Sequence, residues 1–491
     1  VNELRGLCAS LLFLFAAPPA PAGPQVESGD MALRHDIQRL ADAGVIRGTV
    51  STWPMAWAPI LEDLDAASLA GLPQDVVDAL YRVRSRGQFE TGQGDVQVTA
   101  EAGLANDPAS IRSYQDTPRG TADVRASAAW HSDAVNIDIA VSYVDAEGDD
   151  DVRIDGSHLG VALGNWEFAA STRQRWWGPS WDGSLILSNN ARPFPSLVLD
   201  RTRTDAFETK WLSWLGPWDL VVMFGLLEEE RYVPNAQFFG MRFNFRPVDS
   251  LELGLFRSAE WCGDGRPCGL DTFVDLFLGH DNRGDEGIDA SNEPGNQLAG
   301  VDFRWTPGFL GRRTAFYGQF VGEDEAGGFP SRWLGQFGAE WTGYLFDRWS
   351  TRLYGEVSAT SCQFYESSEI FNCAYNHSIY QSGYRYRGRS IGHGADNDTR
   401  LLSAGVVAVA ADETQWRALL RYGKLNRGGA PDEWNSLTPT PQEIVSLDVA
   451  HGRRLPFGII DVGIGYALVD DIASATDTSD ARFYVQWRSE Y

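Results

Sequence analysis

"VNIDIAVSY", residues 135–143, alternates without a break: Val135, Ile137, Ile139, Val141 and Tyr143 share one face of a strand, and Asn136, Asp138, Ala140 and Ser142 share the other. One face is wholly apolar and the other is small or charged. The same period returns in Phe239, Met241, Phe243 and Phe245 against Gly240, Arg242, Asn244 and Arg246. It returns again in Leu353, Gly355, Val357 and Ala359 against Arg352, Tyr354, Glu356 and Ser358. The chain ends on Phe483, Val485, Trp487 and Tyr491 against Arg482, Gln486, Arg488 and Glu490. A soluble sandwich shows such alternation too. Length and turns separate the two readings. Many runs are as long as a tilted membrane crossing, roughly 9–11 residues. Short turns such as "PVDS" (247–250) and "LFDRWS" (345–350) are set against long polar stretches at 260–296 and 361–378. The pattern predicts a transmembrane antiparallel β-barrel of about sixteen to eighteen strands, with short periplasmic turns and long outer loops.

Composition narrows the partners. Across 491 residues, 41 Lys+Arg face 67 Asp+Glu, a net charge of −26. A nucleic-acid surface needs a basic footprint, so that class is excluded. The start, "LCASLLFLFAAPPAPAG" at 7–23, reads as an export signal spanning 1–22, its apolar run too short for a membrane helix. Residues 23–92 then read as a periplasmic helical bundle or plug, ahead of a barrel over 93–491. Within the bundle, Asp30 is a predicted N-cap, Leu33, Ile37 and Leu40 form one stripe, and Gly44 is a stop. A second helix is marked by Ile60, Leu61 and Leu64, and Pro73 opens a third that carries Val76, Val77, Leu80 and Val83.

Export makes disulfides available. Setting Cys8 aside, the pairs Cys262–Cys268 and Cys362–Cys373 are predicted as local loop disulfides, an unpaired or a crossed arrangement being the alternatives. No CxxC spacing supports zinc. The carboxylates Glu228, Glu229 and Glu230 read as solvated charge, not a glycosidase pair. The acidic runs "DAEGDDD" (145–151) and "GEDEAGG" (322–328) lack the ordered spacing of a calcium loop. His131, His158, His280, His377, His393 and His451 are scattered, and no hydrolase, metalloprotease or nucleotide-binding motif is present. The reading is therefore a non-enzyme with no cofactor and no metal.

One stretch stands apart: "RWWGPSWDGSLILSNNARPFP", residues 175–195. The strand through 166–175 is expected to turn Trp166, Phe168, Ala170 and Thr172 to lipid and Glu167, Arg173 and Arg175 to the lumen. Beyond it, a segment over 176–196 is expected to fold inward, since irregular backbone at membrane depth must be enclosed by protein or water. Arg173, Arg175, Trp176, Trp177, Trp181, Asn189, Asn190 and Arg192 are then either a lumen plug or a polysaccharide site, with ring faces against sugars and arginines against acidic groups.

Together with "HDIQRLADAGVIRGTVSTWPMAW" at 35–57, this stretch resembles the Wzi family of outer-membrane capsule assembly proteins. The resemblance runs over nearly the whole mature chain. It implies an eighteen-stranded barrel with a small periplasmic helical bundle, and a role in attaching or organising capsular polysaccharide at the cell surface. The acidic balance and the cysteine pairs depart from enteric members of the family. The implied surroundings are capsular polysaccharide, outer-membrane lipid and lipopolysaccharide, with the chain a monomer. Two other readings stay open: a channel for small or oligomeric solutes, and a barrel that anchors a periplasmic or peptidoglycan-binding module.

Overall fold

The computed structural model describes residues 24–92, 94–146, 148–278, 295–326 and 329–489. The predicted export signal, His280 and the terminal Tyr491 lie outside the described residues. The first barrel staves are β1 (Gln97–Ala105), β2 (Ala122–His131) and β3 (Val135–Asp145). β4 comes in two pieces, Val152–Arg153 and His158–Leu163, both paired with β3. β5 (Trp166–Ser171), β6 (Ser196–Arg201), β7 (Trp218–Leu226), β8 (Gln237–Val248) and β9 (Leu251–Trp261) follow. Next are β10 (Gly295–Trp305), β11 (Thr314–Ala326), β12 (Phe329–Leu345) and β13 (Trp349–Ala359). The last are β14 (Arg400–Ala410), β15 (Gln415–Leu425), β16 (Gln442–Leu455), β17 (Gly458–Asp471) and β18 (Thr476–Arg488). Among the described residues, these eighteen staves pair antiparallel in sequence order and close, β18 meeting β1 with Gln486 opposite Gly103. Closure leaves no sheet edge unpaired.

Polarity is inverted relative to a soluble protein. Ile139, Val141 and Tyr143 on β3 point outward and are about half exposed, while Asn136, Asp138 and Ser142 between them are buried in the lumen. Likewise Leu353 and Val357 face outward on β13, and Arg352 and Glu356 are buried. Such an apolar outer band is stable only against lipid.

The helices form as the pattern predicts: α1 (Met31–Asp42), α2 (Trp57–Ala66) and α3 (Gln74–Glu90). Asp30 Oδ1 accepts from the Ala32 and Leu33 N–H groups, and Gly44 leaves the helix at φ +78°. Ile37 and Leu40 are fully buried among Trp53, Trp57, Leu64, Val76 and Leu80. Two short pairings escaped the sequence reading. Gln25–Val26 pairs with Met55–Ala56, and Thr52–Trp53 pairs with Trp176–Trp177. The helices sit at the end with tight turns: Arg82 of α3 donates to the Ala410 carbonyl, and Tyr344 is 3.4 Å from Asp78. The opposite end carries the long connections 106–121, 172–195, 360–399 and 426–441, and one connection at the helix end, 202–217, departs from the expected short turns.

One expectation is corrected. β5 stops at Ser171, so Thr172 does not face lipid. Its hydroxyl donates to the Ile154 carbonyl at 2.6 Å and its N–H to the Ser157 carbonyl at 2.8 Å. Those bonds tie it to the break in β4 and turn the chain inward.

Face assignment predicts the response to charge. Val141→Arg is expected to weaken folding into a bilayer by about 2–4 kcal/mol, the cost of a midplane arginine. Ser127→Arg, on the lumen wall beside a polar cavity of about 220 Å³, should leave folding nearly unchanged. Urea titration of the heat-modifiable band measures both.

Candidate functional site

The segment 172–195 crosses the lumen, and every residue of the predicted cluster is buried in it. Trp176, Trp177 and Trp181 have no exposed surface, and Arg173, Arg175, Asn189, Asn190 and Arg192 are all under a tenth exposed. Backbone pairing seats the segment. The Trp177 N–H donates to the Leu187 carbonyl at 3.0 Å, and Gly178 donates to Ser51 at 3.0 Å. Glu252 of β9 in turn accepts the Val50 and Ser51 N–H groups at 3.0 and 2.9 Å.

Arg34 of α1 joins three parts of the chain. Its guanidinium lies 4.3 Å from the Tyr114 ring, 4.4 Å from Trp181 and 5.5 Å from Trp176, and it donates to the Pro179 carbonyl at 2.8 Å. Fully buried rings strengthen such a contact because little water competes for the cation. Trp181 is fixed further by its indole N–H on Glu340 at 2.7 Å and its stacking on Tyr354. Glu340 also pairs with Arg304 and Arg352, and Arg304 reaches Asp42 of α1 at 2.6 Å.

The other members of the cluster are likewise spoken for. Asp182 holds Arg421 of β15 at 2.6 Å and accepts the Ser403 hydroxyl. Arg173 pairs with Asp138 and donates to Gln25, and Arg175 reaches Asp200 at 3.3 Å. Arg192 forks onto Asp155 and reaches Asp149 at 2.8 Å. The acidic run 145–151 is thus partly neutralised by arginines, with Arg387 reaching Asp150 at 2.9 Å. Asn189 Nδ2 donates to Tyr114 at 2.7 Å and Asn190 Nδ2 to Ser390 at 3.0 Å.

The connection 360–399 covers the segment from the long-loop side. Tyr375 and Tyr384 hydroxyls donate to the Leu185 and Ile186 carbonyls, each at 2.8 Å. Both disulfides are formed as paired from the sequence, Cys262–Cys268 and Cys362–Cys373. The Tyr380 hydroxyl donates to the Cys262 carbonyl at 3.0 Å and links the two loops. His131 faces Asp138 and His158 faces Glu167, both inside the lumen. Glu229 and Glu230 are exposed as expected, but Glu228 is not solvated: its side chain is buried, lies 3.7 Å from Arg231 and accepts the Arg387 N–H. Among the described residues, no group of three or more His, Cys, Asp or Glu side chains is arranged for a metal.

What the sequence did not single out is the exposed face of the long-loop end. Tyr232, Tyr365, Phe371 and Trp434 stand out of the loops there. Tyr365, Phe371 and Trp434 each stand beside Glu or Asn, and Tyr232 stands two residues before Pro234, the one cue that could have marked them.

A closed, lipid-facing barrel with its lumen filled by its own chain defines a plugged outer-membrane barrel. The profile of the family described as capsule assembly protein Wzi matches residues 96–473, and the chain belongs to that family. A solved Escherichia coli protein is similar, described as Wzi, an outer membrane protein involved in group 1 capsule assembly and a carbohydrate-binding β-barrel. It covers 95% of this chain and 100% of its own at 24% identity, with a TM-score of 0.82. A Klebsiella pneumoniae relative, described as an uncharacterized 55.8 kDa protein in the cps region, is 34% identical over 328 residues. That alignment takes in 65% of this chain and 62% of the relative, less than two thirds of its length.

Two outcomes follow from the packing. Asp182→Asn leaves the buried Arg421 with Asp448, at 3.5 Å, as its remaining carboxylate, so the cost should fall below the about 3–5 kcal/mol of stranding a buried charge. Amide exchange across 176–190 should accelerate while the barrel stays heat-modifiable. His393 supplies a pH dependence. Burial pushes its imidazole down to about 4, with Arg421 acting the same way and Asp182 and Asp396 opposing. Between that value and the ordinary 6.5, the unfolded segment binds a proton that the packed one does not. The contribution of His393 to packing is therefore fully present above pH 6.5 and shrinks as pH falls toward 4. Exchange protection, referred to the intrinsic amide rate at each pH, should be lower at pH 5 than at pH 7, and His393→Gln should flatten the difference.

Proposed function

We propose that this chain attaches or organises capsular polysaccharide at the outer surface of the outer membrane, without catalysis. On this reading the helices of residues 23–92 face the periplasm, the barrel of 93–491 is the anchor, and the long-loop end meets the polymer. The observation that carries it is the filled lumen, joined to the family match. A polymer has no route through such a barrel, so its contacts fall on the outer rim. Arg173, Arg175, Trp176, Trp177, Trp181, Asn189, Asn190 and Arg192 are assigned to packing the plug. Tyr232, Tyr365 and Trp434 are assigned to the polymer, because an exposed ring offers an apolar face to a sugar and Tyr and Trp add a polar edge. Lipopolysaccharide around the barrel and a monomeric state complete the proposal.

A second reading, permeation, draws on the polar cavity of about 220 Å³ between the helices and β1–β3, with Glu27, Glu101, Arg125 and Arg488 on its walls. It has room for water and small ions.

A deletion strain, scored for cell-bound and released capsular polymer, separates the readings. Loss of the chain should shift most polymer from cells to medium, and the wild-type gene should reverse it. Tyr232→Ala with Tyr365→Ala and Trp434→Ala should lower bound polymer roughly three- to tenfold at normal barrel levels, a change of about 0.7–1.4 kcal/mol. Trp176→Ala with Trp177→Ala should lower the barrel level instead. Retention that is unchanged in the deletion strain, with small-solute uptake restored by the gene, would favour permeation.

A further inference from the structure

The helix α4 (Leu270–Leu278) begins just after the Cys262–Cys268 loop and lies outside the barrel wall. Phe273 packs 5.6 Å from Phe224, 5.3 Å from Phe239 and 5.1 Å from Trp261, ring centre to ring centre. Those three rings belong to the outward faces of β7, β8 and β9 near their long-loop ends. The helix accounts for an anomaly of burial. Phe239, Ala259 and Trp261 sit on the lipid-facing side yet are buried, whereas Leu255 and Phe224 on the same side are 48% and 40% exposed.

Arg257 also points outward on β9, where a bare charge would be costly. Its guanidinium donates to the Leu276 carbonyl at 2.8 Å and the Phe277 carbonyl at 3.1 Å. These carbonyls belong to the last turn, whose orphan acceptors and negative dipole end suit a cation. The helix and the charge stabilise each other.

Seated this way, α4 presents three sides. Phe273 and Leu276 meet the wall. Leu270, Val274 and Phe277, spaced i, i+4 and i+7, form a second side and are 78%, 44% and 41% exposed. Asp271 and Asp275 lie four apart on the third. The exposed apolar side is continuous with the lipid-facing band of β7–β9. We infer that α4 is an interfacial membrane helix: Leu270, Val274 and Phe277 enter the acyl chains of the adjoining leaflet, and Asp271 and Asp275 stay in water. The disulfide closes the loop that starts at the end of β9 and so keeps α4 against the wall, at the level where the barrel leaves the bilayer. A short amphipathic helix held in this plane fixes the height of the barrel rim.

Spin labels test the placement on the folded full chain in dioleoylphosphatidylcholine liposomes. Val274→Cys, Phe277→Cys and Asp275→Cys are labelled singly in a Cys8→Ser background, with Val141→Cys as the lipid-facing reference. Labels at 274 and 277 should be relaxed severalfold more by oxygen than the label at 275, and severalfold less by a water-soluble nickel chelate. Equal nickel access at 274, 277 and 275 would overturn the inference, since the helix would then stand clear of the bilayer. Shielding of 274 and 277 from both reagents would overturn it as well, because protein would then be the occupant. Phe277→Cys serves if Val274→Cys does not fold, and the heat-modifiable band reports folding in each case.

Discussion

Eighteen staves enclose a lumen wider than side chains can fill, and the rest of this structure follows from that width. Barrels of about eight strands close on their own side chains, while barrels of 16–18 leave a channel unless something enters. Here the chain enters from both ends. The N-terminal helices rise from the tight-turn end, and the connections 106–121, 172–195 and 360–399 fold in from the other. Their meeting point is the Arg34–Tyr114–Trp176–Trp181 group.

Filling a polar lumen with protein imposes a second condition. A charge on the inner wall that the plug covers loses water and needs a partner. Arg304 therefore meets Asp42 and Glu340, Arg421 meets Asp182, and Arg242 meets Asp302. Buried ion pairs add little net stability against apolar replacements of the same shape, because desolvation consumes the Coulomb gain. Their contribution here is positional. The apolar drive comes from the tryptophans and tyrosines between them, which lose their water in the two clusters that run through the plug. A wall carboxylate, Glu340, fixes where the Trp181 ring stops, and backbone carbonyls do the same for Trp176, Tyr375 and Tyr384.

A filled lumen divides labour between surfaces. Side chains that look like ligand recognition in one dimension are buried here and partnered within the chain, while other rings stand exposed at the rim. The rim offers exposed rings, and the wall offers an apolar band beside which α4 lies as about two and a half turns of helix. The disulfides belong to this outer layer. Cys362–Cys373 closes a loop of the covering connection, and Cys262–Cys268 closes the loop that leads to α4.

Much of this was legible in one dimension, for a physical reason. A strand places successive side chains on opposite faces, so Val135 to Tyr143 declares its lipid side and its lumen side with no tertiary information. The same local logic announced Asp30 as a cap, Gly44 as a stop and the two short cysteine pairings. The sense of the 171–196 stretch was not local. Trp176 pairs with Trp53, Asp182 with Arg421, and Asn190 with Ser390, partners that lie more than a hundred and up to 239 positions apart along the chain. The strand's end at Ser171 depended likewise on Ile154 and Ser157 across a broken neighbour. Periodicity tells which face a residue occupies. It carries no record of what stands opposite, and only the closed barrel, by bringing distant segments into one lumen, decided that the tryptophans and arginines there would meet each other.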